Sequence, residues 1–196
     1  MKNKKQAIWL FSGGPMQEHI AKKIVELNYK LILTDINKEC VCAKYADEFI
    51  HADTFNFSAN LDALENLEKN YNIKAVITVA ADCHETVALM SRHLSLPGID
   101  PKISHICRHK NLTREVLSAA GVPQPKFCLT KNINEAKSFL KSIGNQGVVK
   151  STDNSGSRGF TKINPHEELT ESVFKKALES GTTGAVLIEE TLFPIK

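Results

Sequence analysis

Nowhere in its 196 residues does the chain hold the run of roughly 20 apolar residues that a bilayer-spanning helix needs. Its opening, Met1-Lys2-Asn3-Lys4-Lys5, has the charge of a secretory leader, but the apolar stretch behind it, Ala7 to Phe11, breaks at Ser12-Gly13-Gly14. That stretch reads as a buried first strand, and the expected setting is the cytoplasm with no membrane partner. The cysteines (Cys40, Cys42, Cys83, Cys107 and Cys128) are odd in number and contain no CxxC pair, so reduced thiols are expected rather than a disulfide framework. The seven histidines form no HExxH and no paired Cys/His spacing, and no metal ligand is assigned among them. With one tryptophan, three tyrosines and a net charge of +3 that is not gathered into a basic tract, the chain offers little to a nucleic acid. It also lacks internal repeats, low-complexity tracts and Gly/Ser linkers, while its 42% hydrophobic content suffices for packed cores.

What is present is an alternation of short apolar runs with amphipathic stretches. Ala7 to Phe11, a helix from about Met16 to Leu27 and Leu31 to Thr34 make one βαβ unit. Phe49 to His51, a helix from about Leu61 to Tyr71 and Ala75 to Val79 make a second, and a helix from Glu85 to Leu94 leads to a short strand at Leu96 to Ile99. Strands this short and apolar, separated by helices, predict an α/β, Rossmann-like parallel sheet over residues 1–100. From Pro101 the pattern changes. Helices at Lys102 to Cys107 and Leu112 to Ala120 stop at Gly121-Val122-Pro123, and hairpin-connected strands at 126–129, 147–150, 160–163 and 185–189 alternate with helices at 134–142 and 167–179. Residues 101–196 therefore read as a separate α+β domain.

Four places carry chemistry. The strand Gly147 to Lys150 delivers a lysine into a loop of small residues, Ser151 to Gly159, before the next strand. Glycines admit close approach of backbone amides to an anion, so Lys150, Ser155, Gly156, Ser157 and Gly159 are candidate phosphate-contacting residues, in a loop expected to be mobile over 153–159. No Gly-Lys-Ser/Thr closes that loop, so it is not a Walker A sequence. Gly13 and Gly14 open the first helix, where amides and helix dipole favour an anion, and the same glycines would serve a tight βα turn. Asp35 stands where a nicotinamide-ribose ligand would, but Gln17 and Glu18 occupy the place of the third glycine of GxGxxG. Asp82, with His84 and Glu85 behind it, follows the fourth strand at the ligand-binding edge of such sheets; it suits either a substrate amine or a helix cap, the cap being favoured. Lys110 and Arg114, at i and i+4, share a helix face.

Taken in order, these segments resemble the N-terminal part of an ATP-grasp carboxylate–amine ligase, the superfamily of biotin carboxylase, the carbamoyl-phosphate synthase large subunit and D-alanine:D-alanine ligase. The resemblance runs through Gly13-Gly14 with Gln17, Asp35-Ile36-Asn37, Ala46-Asp47, Leu96-Pro97-Gly98, His109-Lys110 with Arg114, Ala120 to Pro125, Val149-Lys150 with the glycine loop, and Leu187 to Glu190. It implies a Rossmann-like pre-ATP-grasp domain followed by an ATP-grasp N-terminal lobe. It also implies that Lys110 and Lys150 contact ATP phosphates, that Ser155 to Gly159 close over the triphosphate, that Glu189 lies near the adenine amino group, and that Glu190 to Leu192 form the hinge reading the adenine edge. Gly13, Gly14 and Asp82 are the matching candidates for substrate. The chain departs from the family at His109, where Asp is usual, and at Ser151, where Pro is usual.

The implied activity is ligation: ATP converts a carboxylic acid to an acyl phosphate, which an amine or ammonia then attacks, with Mg2+ as the second cofactor. The metal ligands and a catalytic Arg belong to a second lobe expected beyond the hinge, so the chain is expected to be truncated, to carry no catalytic residue of its own and to be inactive alone. The alternative is a non-catalytic nucleotide- or partner-binding module of the same fold. The sequence leaves a homodimer open and does not identify the acid or the amine.

Overall fold

β1 (Lys5–Phe11) is hydrophobic on both faces, and the structure shows why. Ala7, Trp9 and Phe11 point to one side of a sheet and Leu10 to the other, all fully buried. The computed structural model describes residues 4–192 and divides into two units between His105 and Ile106. In the first, α1 (Glu18–Glu26) follows β1 through a short 3-10 turn, then β2 (Lys30–Asp35), β3 (Glu48–His51), α2 (Phe57–Asn70), β4 (Tyr71–Ile77) and α3 (His84–His93). The four strands are parallel in the order β3-β2-β1-β4. Trp9 and Phe11 pack with Leu64 and Leu67 of α2 and Met90 of α3, while Leu10, Leu31 and Leu33 pack with Ala21 and Ile24 of α1. Both faces are covered, as continuous apolar strands require. The buried Trp9 indole donates from Nε1 to Thr34 Oγ1 at 2.9 Å, so its one polar atom is satisfied.

Three expectations fail here. Leu96 to Ile99 forms no strand; the Leu96 amide donates to Ser91 O at 2.8 Å, turning the segment back onto the end of α3. The fourth strand spans Tyr71–Ile77 rather than 75–79, because Tyr71 and Ile73 alternate with exposed Asn72 and Lys74 on an edge strand, a pattern a search for apolar runs passes over. Likewise α2 starts at Phe57, where the Asn56 side chain accepts from the Ala59 amide at 3.0 Å.

Gly13 is required for packing. A Cβ there would overlap the Cys40 sulfur and stand 3.2 Å from Leu33 Cδ2. Gly13→Ala is expected to destabilise the first unit by about 1–3 kcal/mol through this overpacking. The check is the denaturant midpoint read by Trp9 fluorescence, and an unchanged midpoint would mean that the turn has room to give.

The second unit follows α4 (Pro101–Arg108), which runs across the division, and comprises α5 (Lys110–Ala119), β5 (Phe127–Thr130), α6 (Ile133–Ser142), β6 (Gly147–Ser151), β7 (Thr161–Ile163), α7 (Glu171–Glu179) and β8 (Val186–Glu190). Its sheet is antiparallel in the order β5-β8-β6-β7. Val149, Val186 and Ile188 pack on one face against Ala136 and Leu140 of α6 and Phe174 and Ala177 of α7. α7 begins later than the expected 167, since Thr170 is its cap and accepts from the Val173 amide at 3.3 Å. The chain is thus mixed α/β, with one parallel and one antiparallel sheet.

Candidate functional site

β6 and β8 place Lys150 and Glu189 side by side. Lys150 pairs with Leu187 and Val148 with Glu189, so the lysine and the glutamate are diagonal neighbours on the sheet face opposite α6 and α7. Lys150 Nζ lies 2.7 Å from Glu189 Oε2. Arg114 arrives from α5 and forks onto the same carboxylate, with Nε 2.8 Å from Oε1 and Nη2 3.3 Å from Oε2, while its Nη1 donates to Gln124 Oε1 at 2.7 Å. Glu189 is only 4% exposed. Burial pushes its carboxyl up, but the bonds from Arg114 and Lys150 outweigh burial and hold it below the usual carboxylate range.

Lys110 heads α5 and is tied to the same strand end. Its backbone amide donates to Thr152 O at 2.8 Å, and its ammonium donates to the carbonyl of Asn154 at 2.5 Å. Lys110, 40 residues earlier in sequence than Lys150, is therefore held at the junction of β6 and the glycine loop, while the Lys150 ammonium is bonded to Glu189 of β8.

The loop itself has an anchored base and an open tip. Asp153 is 7% exposed, and its carboxylate accepts from the Thr182 amide at 3.0 and 3.1 Å, from the Thr182 hydroxyl and from the Thr152 hydroxyl at 3.3 Å. Burial pushes Asp153 up, and the Thr182 and Thr152 bonds more than offset it, leaving the group below its ordinary value. Asn154 Nδ2 donates to Ser180 O at 2.6 Å and its Oδ1 accepts from the Ser155 amide and from Arg158 Nε. Gly159, at φ 71°, packs so closely on α7 that a Cβ would stand 2.6 Å from that of Ser180. Ser155, Gly156, Ser157 and Arg158 are exposed between these anchors, with positive φ at Gly156 and Ser157. The expectation of uniform mobility over 153–159 gives way to a narrower one, because the base is hydrogen-bonded and only the tip lacks buried contacts. In hydrogen exchange, the Thr182 amide should be protected and the Gly156 amide fast. Equal rates at the two would contradict the anchored base.

Acid should act on this unit through Asp153 and Glu189. Both have folded pKa values below the unfolded ones, so the stability they contribute is complete above about pH 4.5 and is lost as pH falls through their depressed values. Thermal melts followed by far-UV circular dichroism should show the second unit losing stability below that pH, with Asp153→Asn flattening the loss.

The remaining candidates are placed as follows. Glu190 is the last residue of β8: its amide donates to Lys126 O at 2.9 Å and its Oε1 accepts from the Lys126 amide at 2.9 Å. Leu192 is exposed. In the first unit the Gly13 amide donates to Asp35 Oδ2 at 2.6 Å, and Asp35 Oδ1 accepts from the Asn37 amide at 2.8 Å. Asp35 thus holds the glycine turn to β2, a structural use of the residue that a nicotinamide ribose would have claimed. The N-cap residue of α3 is Cys83, one residue after Asp82. Sequence reasoning gave no structural role to Asp153, Thr182 or Gln124, and took Gln17 as part of the family resemblance and as the residue in the place of a glycine. Gln17 is buried and bridges strand ends, its Nε2 donating to Phe11 O and Thr78 Oγ1 and its Oε1 accepting from the Val79 amide. The one charged residue amid the small polar ones of Ser151 to Ser157, Asp153, was the available signal for the loop anchor.

The fold, a parallel sheet followed by an antiparallel sheet with a lysine-bearing glycine hairpin, is shared with about half the length of several solved structures. Among solved structures, the chain is similar to N5-carboxyaminoimidazole synthetase from Staphylococcus aureus complexed with ADP, with a TM-score of 0.70 and 21% identity over 97% of this chain and 49% of that one. It is similar also to the biotin carboxylase domain dimer of the Hydrogenobacter thermophilus 2-oxoglutarate carboxylase in complex with MgADP, ADP and bicarbonate (TM-score 0.71, 21% identity, 98% and 45% of the two chains). An L-amino acid ligase from Bacillus licheniformis matches with TM-score 0.71 and 16% identity, over 98% of this chain and 45% of that one. A curated relative, the uncharacterized protein y4rH of Sinorhizobium fredii (strain NBRC 101917 / NGR234), is 34% identical over 124 residues, 63% of this chain and 26% of the relative. The chain spans about half the length of the solved ligases it matches and about a quarter of that relative. No protein-family profile matches it. Among the described residues, no helix is long and apolar enough to cross a membrane.

Proposed function

We propose that the chain is the N-terminal part of an ATP-dependent carboxylate–amine ligase and that its second unit binds the nucleotide. The observation that carries this is the Lys150–Glu189–Arg114 cluster on the face of the antiparallel sheet opposite α6 and α7, beside a glycine loop whose base is anchored and whose tip is exposed. The donor set suits a polyanion: Arg114 and Lys150 are bonded to Glu189, while Lys110 and Arg158 are bonded to Asn154 in the glycine loop. Lys110 and Lys150 hold phosphate oxygens, Glu189 serves the adenine end, and Ser155 to Gly159 cover the phosphates and keep water away. When bound with Mg2+, ATP supplies a phosphoryl group. A carboxylate oxygen attacks the γ-phosphorus with departure of ADP, and an amine nitrogen then attacks the acyl carbon, losing a proton as phosphate leaves. The metal ligands for that step are proposed to lie outside this chain. The test is titration of the purified chain with a fluorescent ATP analogue, competed by ATP. Saturable binding that ATP displaces is expected, and no displaceable binding at millimolar ATP would overturn the reading.

A further inference from the structure

A cavity of about 240 Å3 lies in the second unit between α6 and the segment that leads into α7. Its floor is apolar: Leu140 of α6 and Leu169 are both buried and belong to the cluster that packs the two helices on the sheet. Its walls are charged, and the two signs are kept apart. Lys137 and Lys141 stand one turn apart on one face of α6, whereas Glu167 and Glu168 come from the segment before α7. Asn145, in the turn after α6, completes the lining.

Both walls are fixed by bonds that leave three of the four charges available. The Asn145 amide donates to Leu140 O at 2.8 Å, which folds the end of α6 back on itself. Glu167 ties its own segment: Oε2 accepts from the Asn164 amide at 2.9 Å and from Asn164 Nδ2 at 3.0 Å, and its amide donates to Asn164 O at 2.9 Å. Lys162 of β7 attracts the same carboxylate, so Glu167 is matched within the chain. Among the described residues, Lys137, Lys141 and Glu168 take part in no ion pair and no side-chain hydrogen bond.

The charged lining, two lysines against two glutamates, favours neither a simple anion nor a simple cation. A ligand with a carboxylate alone would leave Glu168 without a counter-charge, and one with an ammonium alone would leave both lysines so. A molecule bearing both groups close together matches the two walls at once and lays an apolar body on Leu140 and Leu169. It must also be small, because the cavity falls below the roughly 300–1,000 Å3 of pockets that enclose drug-sized ligands.

We infer that this cavity binds a small zwitterion with an aliphatic side chain, the chemistry of an α-amino acid, with its carboxylate toward Lys137 and Lys141 and its ammonium toward Glu168. The site is separate from the one proposed for the nucleotide, since α6 covers the sheet face opposite Lys150 and Glu189. The assignment therefore does not rest on nucleotide binding.

Carbon-13 labelling of the leucine methyl groups tests this on the full chain, with norleucine as the probe. Leu140 and Leu169 should shift saturably, while Leu10, fully buried in the first unit, stays. Norvaline, one methylene shorter, should bind about two- to fourfold more weakly. Pentylamine, which lacks the carboxylate, and hexanoate, which lacks the ammonium, should each bind at least about fivefold more weakly than norleucine. Lys141 and Glu168 are exposed, so their variants should fold. Lys141→Gln should weaken norleucine by about two- to fivefold and leave pentylamine unchanged, and Glu168→Gln should weaken norleucine by a similar factor and leave hexanoate unchanged. Leu140 and Leu169 signals that stay put at millimolar norleucine, pentylamine or hexanoate binding as tightly as norleucine, or unaltered norleucine affinity in either variant would each overturn the assignment. So would competitive displacement by ATP, which would seat norleucine on the other face of the sheet. A chain that binds norleucine but no ATP keeps this site and loses the function proposed above, and the converse loses this site alone.

Discussion

Lys150→Ala is expected to weaken ATP binding by roughly ten- to a hundredfold, since a charge-assisted contact to phosphate contributes about 1.5–3 kcal/mol. The structure adds a second consequence. In the unliganded chain the lysine neutralises Glu189, which is almost fully buried, so its removal leaves Arg114 as the remaining cation bonded to that carboxylate among the described residues. Some loss of stability should therefore accompany the loss of affinity, and nucleotide titrations need a melting curve beside them. Lys150→Arg should recover only part of the binding. A planar fork would reach Glu189 well enough, yet it replaces the compact charge that the phosphate contact uses. ATP binding by a folded Lys150→Ala variant at parental affinity would show that the β6 lysine is no phosphate ligand.

Asp153→Ala should lower the stability of the second unit by about 2–4 kcal/mol, because the change strips a buried amide and two hydroxyls of their acceptor. Gly181 belongs to the same argument: a Cβ there would stand 2.7 Å from Asp153 Oδ1, so the backbone has been brought against this carboxylate with no space to spare. Asp153→Asn keeps the shape but sets an amide nitrogen toward donors, and an intermediate loss is expected. A shift below about 0.5 kcal/mol for the alanine variant would place Asp153 among ordinary surface positions.

Much of this architecture was legible because apolar periodicity sets strand and helix type wherever an element is buried on both sides. β1, β2, β6 and β8 are such elements, and their expected positions agree with the structure to within a residue or two. β4 was displaced because an edge strand hides half its pattern behind polar residues such as Asn72 and Lys74, and Leu96 to Ile99 failed because an apolar run says nothing about whether a neighbouring strand edge is there to receive it. For the candidate site, a lysine at the end of a strand before glycines could be read locally. The partnership of Lys150 with Glu189 and Arg114 could not, since it depends on strand order and register. The same holds for Asp153, whose acceptor role is defined by Thr182 on the far side of α7.

The indole of Trp9 lies in the first unit, and so do all three tyrosines, Tyr29, Tyr45 and Tyr71. Excited near 280 nm, the chain therefore emits from one half only, and the half that carries the glycine loop is optically dark. Fluorescence follows the first unit and far-UV circular dichroism follows both: coincident melting curves mean that they unfold together, and a dichroism step without a fluorescence step marks the second unit. For a fluorescent nucleotide the darkness is useful in another way. Energy transfer from Trp9 to a nucleotide seated on Lys150 would measure the distance between the two halves directly.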